Sequence, residues 1–260
     1  MKNRIMMLSL VFLLFFAWNA TAKTNQDKPR KESKTISKKN ATLVNVDISF
    51  LGGTMVVSGG ASDLLDAQFE YSRDRWQPQI DYTMKNKIGN LKISMPEADK
   101  NFSTNDDDVN AWDIKLNNNT LIDLSIKLGG GEGTYDLSEL KMNNLVIRLL
   151  GGKLDIALQN SSLPRLNFKA FAGEATVDLS GKWENDLNAD FVGGVGELNL
   201  KLPDKVGVRV HATGILGNVE APGFTKDGSY YTNDAFRQTK VTLYIDVLGG
   251  IGNVRLDLVD

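Results

Sequence analysis

Cations, carboxylates and a single histidine recur at a fixed step along this chain of 260 residues. Lys127, Arg148 and Lys169, then Asp190 and His211, follow one another at intervals of 21. A second series occupies the polar place in a motif of small, any, apolar, polar, apolar residues. It holds Asp136, Asp155, Asp178, Asn199, Glu220 and Arg255. If equal steps stack in space, one series is a basic column and the other a mostly acidic ladder. Like charges about 4.8 Å apart repel by about 1 kcal/mol per pair at water's permittivity. The acidic ladder, Asp136, Asp155 and Asp178 foremost, would be relieved by Ca²⁺ or a cationic partner. A straight column of carboxylates, however, rarely supplies the roughly 6–8 oxygens that Ca²⁺ takes. The basic column of Lys127, Arg148 and Lys169 suits an anionic polymer or the acidic face of another envelope protein. Both columns also read as plain solvated exterior, and neither requires a cofactor.

Carboxylates one coil apart also approach the spacing used in glycoside hydrolysis. Parallel β-helices often host polysaccharide lyases and hydrolases. A carbohydrate-active β-helix enzyme acting on an envelope polysaccharide is therefore the alternative to a non-catalytic binding or scaffold module. Against it, the ladder lacks lining aromatics and the basic residues of a lyase site. Other motifs carry less. Asp106, Asp107 and Asp108 lack the spaced order of a calcium loop. The Gly-rich run 129–133 has no following helix and no Gly-Lys-Ser/Thr, so it reads as a corner and not a phosphate cradle. The chain has no Cys and one His, which excludes thiolate sites and a multi-His metal centre within one chain.

The elements that position these columns follow from alternation. Leu124, Ile126 and Leu128 form an apolar triplet of period two. The same phase returns at Leu145, Ile147 and Leu149, at Leu166, Phe168 and Ala170, at Leu187, Ala189 and Phe191, and at Val208, Val210 and Ala212. Period two means strand, with these residues on one buried face. Two short strands and two Gly-rich corners fill each unit, leaving no room for a helix. Such a unit buries its stripe only by stacking on neighbours. The fold expected is all-β, a β-solenoid (parallel β-helix-like) with coils of ~21 residues and an irregular N-terminal β cap. Residues 41–120 form that cap and the irregular coils. Residues 121–260 form the regular solenoid, with an insertion near 221–239. The terminal strand is expected to leave an open edge, covered by that insertion or by another subunit as a homo-oligomer.

The N-terminus reads as an export signal. Lys2 and Arg4 precede an apolar run from Ile5 to Trp18, and Ala20-Thr21-Ala22 fits a cleavage site. Residues 1–22 are thus a signal peptide, and the location expected is exported: periplasm or cell surface. Residues 23–40 carry seven Lys/Arg against two Asp/Glu and read as a basic disordered linker. That linker is able to make peripheral contact with anionic membrane. Residues 41–260 are left with a net charge of about −9, which speaks against nucleic-acid binding.

Trp112-Asp-Ile-Lys-Leu, the run Leu121 to Leu140, the recurring Leu-Gly-Gly corners and Val247-Leu-Gly-Gly-Ile-Gly-Asn-Val-Arg-Leu resemble the toast-rack domain. That domain ends LiaF-type cell-wall-active antibiotic response proteins and occurs in related envelope proteins. The resemblance covers Thr42 to Asp260. It implies a β-solenoid interaction module tied to envelope-stress sensing, with no catalytic residues to carry over. Here a signal peptide stands where LiaF-type proteins have membrane helices.

Overall fold

A computed structural model describes residues 28–96 and 108–260. Residues 1–22, expected as a signal peptide, residues 23–27, and Asp106 and Asp107 lie outside the described residues. Alternating burial defines nearly every strand, as in Leu121–Leu128, where Ile122, Leu124, Ile126 and Leu128 point inward. In chain order the first strands are β1 (Arg30–Ile36), β2 (Leu43–Phe50), β3 (Thr54–Ser58), β4 (Leu65–Tyr71), β5 (Gln79–Lys85), β6 (Ile88–Ser94) and β7 (Asn110–Leu116). Next come β8 (Leu121–Leu128), β9 (Glu132–Asp136), β10 (Met142–Leu149), β11 (Lys153–Ala157), β12 (Arg165–Ala170), β13 (Ala172–Asp178), β14 (Leu187–Val192) and β15 (Val195–Pro203). The last are β16 (Gly207–Thr213), β17 (Val219–Glu220), β18 (Thr225–Asp227), β19 (Tyr230–Thr232), β20 (Thr242–Leu248) and β21 (Ile251–Val259).

These strands form two sheets, of ten and eleven strands, facing each other across one apolar core. Each coil gives one strand to each sheet. Through the middle of the molecule the coils stack in chain order, from β8–β9 to β14–β15, and every pairing is parallel. Antiparallel strands close the ends: β1 on β4 on β7 and β5 on β6 at one end, β18 on β19 on β16 at the other.

Glycine sets one corner. Gly131, Gly152 and Gly173 occupy the same place in successive coils. At Gly152 φ is +101°, and a Cβ there would lie 2.0 Å from the carbonyl oxygen of Gly131. No side chain fits such a gap, so the coils close on one another only without one.

The stacking corrects the constant step. Leu124, Leu145 and Leu166 are buried in register. The next partner of Leu166 is Ala189, not Leu187. Two extra residues enter in the connection 179–186, where Trp183 folds inward and its indole N–H donates to the Leu179 carbonyl at 2.8 Å. A slip of two keeps every side chain on its own face, so the apolar rhythm survives and conceals it.

Coil order is the second correction. The final coil, β20–β21, lies between β14–β15 and β16–β17. Leu243 therefore separates Leu187 from Val208. The C-terminal strand β21 is not an outer edge; it pairs with β15 on one side and β17 on the other. The β18–β19 hairpin, within the segment expected as an insertion, pairs instead onto β16. The N-terminal end mirrors this arrangement: β2–β3 lies between β6–β7 and β8–β9. Part of the segment expected as a disordered linker is a strand. Residues 30–36 form β1, held to β4 along seven residue pairs and by Lys31–Glu70 at 3.3 Å.

Candidate binding surface

The basic column is real. Lys127, Arg148 and Lys169 sit on β8, β10 and β12 as direct register partners. Each follows an inward-facing apolar residue, Ile126, Ile147 or Phe168, so strand alternation turns it outward. All three are exposed, and none joins an ion pair among the described residues. Beyond Lys169 the two-residue slip puts Val192 in the column, then Leu248. Asp190 moves to the neighbouring column and meets Asp246, whose carboxylate lies 3.0 Å from His211 Nδ1. His211 also stacks on Tyr230 at 4.5 Å, and Arg209 lies over the same ring. The imidazole is thus built into the hairpin that covers β16.

The acidic ladder does not exist as expected. Asp136 and Asp178 both pair with Ala157, while Asp155 stands between Thr134 and Thr176. The sequence motif aligns on Gly133, whereas the structural equivalent of Gly152 is Gly131. Asp136 and Asp178 have a local task. Each carboxylate accepts from the hydroxyl and the backbone N–H of the serine two residues on, Ser138 at 2.7 and 3.3 Å and Ser180 at 2.6 and 3.0 Å. These bonds close the turn that ends the strand. The repeated Asp-Leu-Ser at 136–138 and 178–180 was the available signal. The carboxylate ladder on which a glycosidase reading would rest is therefore broken. Asp108 pairs with the Arg73 guanidinium, Oδ1 accepting from Nε at 3.1 Å.

Sequence reasoning missed an apolar ridge. At the Gly-rich corner between the sheets, successive coils present Leu150, Phe171, Val195, Ile251 and Leu216 to solvent. Backbone bonds set Phe171 beside Leu150, Phe171 N–H donating to the Leu149 carbonyl at 2.8 Å; one residue further along the corner, Val195, opposite Ala172, lines up with Ile251 and Leu216. Phe171 is 76% exposed and Leu216 72%. The signal was an apolar residue beside the corner glycines, as in Leu150-Gly151-Gly152. No group of three or more His, Cys, Asp or Glu able to hold a metal ion occurs among the described residues. No helix there is long and apolar enough to cross a membrane.

A model of the N-terminal domain of toast_rack (DUF2154) matches residues 24–163 and 147–201. The fold is similar to that of a candidate cell adhesion protein from Clostridium sporogenes. The two share 28% identity over 89% of this chain and 100% of that one, with a TM-score of 0.69. A candidate adhesin from Bacteroides fragilis is more distant, 12% identical over 87% of this chain and 97% of that one, with a TM-score of 0.33. No curated protein matches the chain.

Proposed function

The chain belongs to the toast_rack N-terminal domain family, DUF2154, and from that premise we propose that it is an exported, non-catalytic interaction module of the cell envelope, used in adhesion at the surface. The observation that carries this reading is the stacked row Lys127, Arg148 and Lys169, exposed and without internal counter-charge. Three cations fixed on adjacent parallel strands form a linear anion-binding strip on an otherwise acidic body. The strands hold the Cα atoms in place, so little backbone entropy remains to be lost on binding. The name of the Clostridium sporogenes protein, at 28% identity over its full length, supports adhesion over envelope-stress signalling. The partner is an anionic envelope polymer or the acidic face of a protein.

A pull-down from envelope extract tests this, comparing the wild type with the combined Lys127→Glu, Arg148→Glu and Lys169→Glu variant. The variant is expected to lose the wild-type partners, and wild-type capture should fall as salt is raised from about 0.05 to 0.5 M. An unchanged set of partners would remove the strip from consideration.

A further inference from the structure

The apolar ridge and the basic strip run side by side. Where the two overlap, in the coils of β10 and β12, the cation stands two residues before the ridge: Arg148 before Leu150, Lys169 before Phe171. Five ridge side chains at a coil spacing of about 4.8 Å extend for roughly 20 Å. Exposed apolar surface of this extent on a soluble domain marks a contact site. A small apolar cleft bounded by Val195, Ile215 and Ile251 lies along the same corner.

The other flank of the ridge has the opposite sign. Directly after the corner, on the ten-stranded sheet, register partners Glu132, Lys153, Glu174 and Glu197 form a column. All four are exposed. At Leu150 and Phe171 the ridge thus has cations on one side, and from Leu150 to Val195 it has mostly carboxylates on the other. An anionic bilayer would be drawn to the first flank and repelled by the second. The occupant must instead offer an apolar strip with anions on one side and cations on the other. This chain carries that pattern itself.

We propose that the anionic partner of the basic strip is a second copy of this chain, packed ridge to ridge with the two stacks parallel. The inference rests on the strip being a binding surface, as proposed above. A twofold axis along the stack lays each ridge on the other and carries the basic flank of one copy over the acidic flank of its neighbour. Lys127 then faces the second copy's Glu132, and Lys169 faces the second copy's Glu174. Arg148 meets Lys153, the one like-charge level, with the second copy's Glu132 and Glu174 a coil above and below. A twofold axis across the stack would set cations against cations, so the charges select the parallel arrangement.

Analytical ultracentrifugation of the purified protein tests this. The wild type is expected to be a dimer at about 50 μM, the range of transient interfaces. Phe171→Glu, on a side chain already in solvent, should give monomer with an unchanged circular dichroism spectrum and melting temperature. The Lys127→Glu, Arg148→Glu, Lys169→Glu variant and the Glu132→Lys, Glu174→Lys, Glu197→Lys variant should each be monomeric alone. Mixed together they should re-form a heterodimer. A wild type that stays monomeric, a Phe171→Glu protein that still dimerises, or a mixture that stays monomeric overturns the proposal. So does a monomer that co-sediments with anionic phospholipid vesicles, which would make a bilayer the occupant. If dimerisation fails while the charge-reversed strip still loses its envelope partners, only this inference falls and the binding strip stands.

Discussion

From β8 to β15 the chain lays each coil on the one before it, and every new strand finds its partner already in place. The two ends are built differently. At the N-terminal end the first coil, β2–β3, is enclosed by β6–β7, which comes later in the chain. At the C-terminal end the last coil, β20–β21, fills a slot between β14–β15 and β16–β17. The middle depends on near neighbours in sequence; the ends depend on segments that close over them. Intercalation also buries strands that would otherwise be long open edges. What faces outward is left to β17, a strand of two residues, and to antiparallel pieces. One such piece is β1, rich in Lys, Arg and Glu, a composition that discourages further pairing.

The contrast is sharpest under deletion. Removing residues 241–260 takes away the only parallel partner of β16 and leaves β15 without β21, to which it pairs along nine residues. Residues 204–240 should then be cut rapidly in limited proteolysis, while β8–β13 stays resistant. Equal resistance of both regions would show that the outer coil stands alone and would end the distinction.

Next in size is the corner of the in-order stack. Gly152→Ala forces a Cβ against the Gly131 carbonyl and should cost about 4 kcal/mol or more. Gly60→Ala has a similar backbone, φ +96°, but nothing within 4 Å, so about 1–2 kcal/mol is expected. Urea midpoints that fall equally for the two would mean that coil contact is not what excludes the side chain.

A polar rivet distinguishes the C-terminal end. The buried Asn233 amide donates to the Pro203, Asp204 and Val206 carbonyls at 3.1, 3.2 and 2.8 Å, and its oxygen accepts from Val208 N–H at 2.9 Å. Asn233→Ala should cost about 2–3 kcal/mol, because those carbonyls lose their partner. Hydrogen exchange should locate the loss in β16–β20 and leave β10 protected. A loss spread evenly over the stack would argue against an end-specific rivet.

The smallest effect concerns acid. The Lys34 ammonium beside Glu32, the Lys38 N–H on Asp63 and the Ser62 N–H on Asp66 hold three carboxyls of the N-terminal end below their ordinary range. A carboxyl held low in the folded state favours folding above its unfolded value, near 4. That contribution is lost as pH falls through the lower, folded value. At about pH 3, β1 amides should exchange faster than at pH 7 after correction for intrinsic rates, while β10 amides hardly change. Equal protection of β1 at both values would remove the acid sensitivity assigned to that end.

Much of the fold was legible because alternation is a local record. Leu124, Leu145 and Leu166 mark inward positions whatever lies beside them, and Lys127, Arg148 and Lys169 fall in register because three successive coils have equal length. The acidic ladder failed on the same logic. Aligning Gly152 with Gly133 and not Gly131 shifts the motif by two, and a shift of two leaves inside and outside unchanged. The ridge went unnoticed for another reason. Leu150 and Phe171 lie between strands, where alternation says nothing about direction.

By itself, then, the order of residues determined which side chains turn in, that the repeating coils are stacked strands, and that three cations share a row. Only the tertiary structure decided which coil lies next to which, because backbone pairing between parallel strands is nearly indifferent to residue identity, and many stacking orders satisfy the same pattern. The choice among them came from long-range closure: Trp183 filling the widened turn, Asn233 pinning the outer coil, and the last eighteen residues of strand and corner, 242–259, fitting the slot left for them.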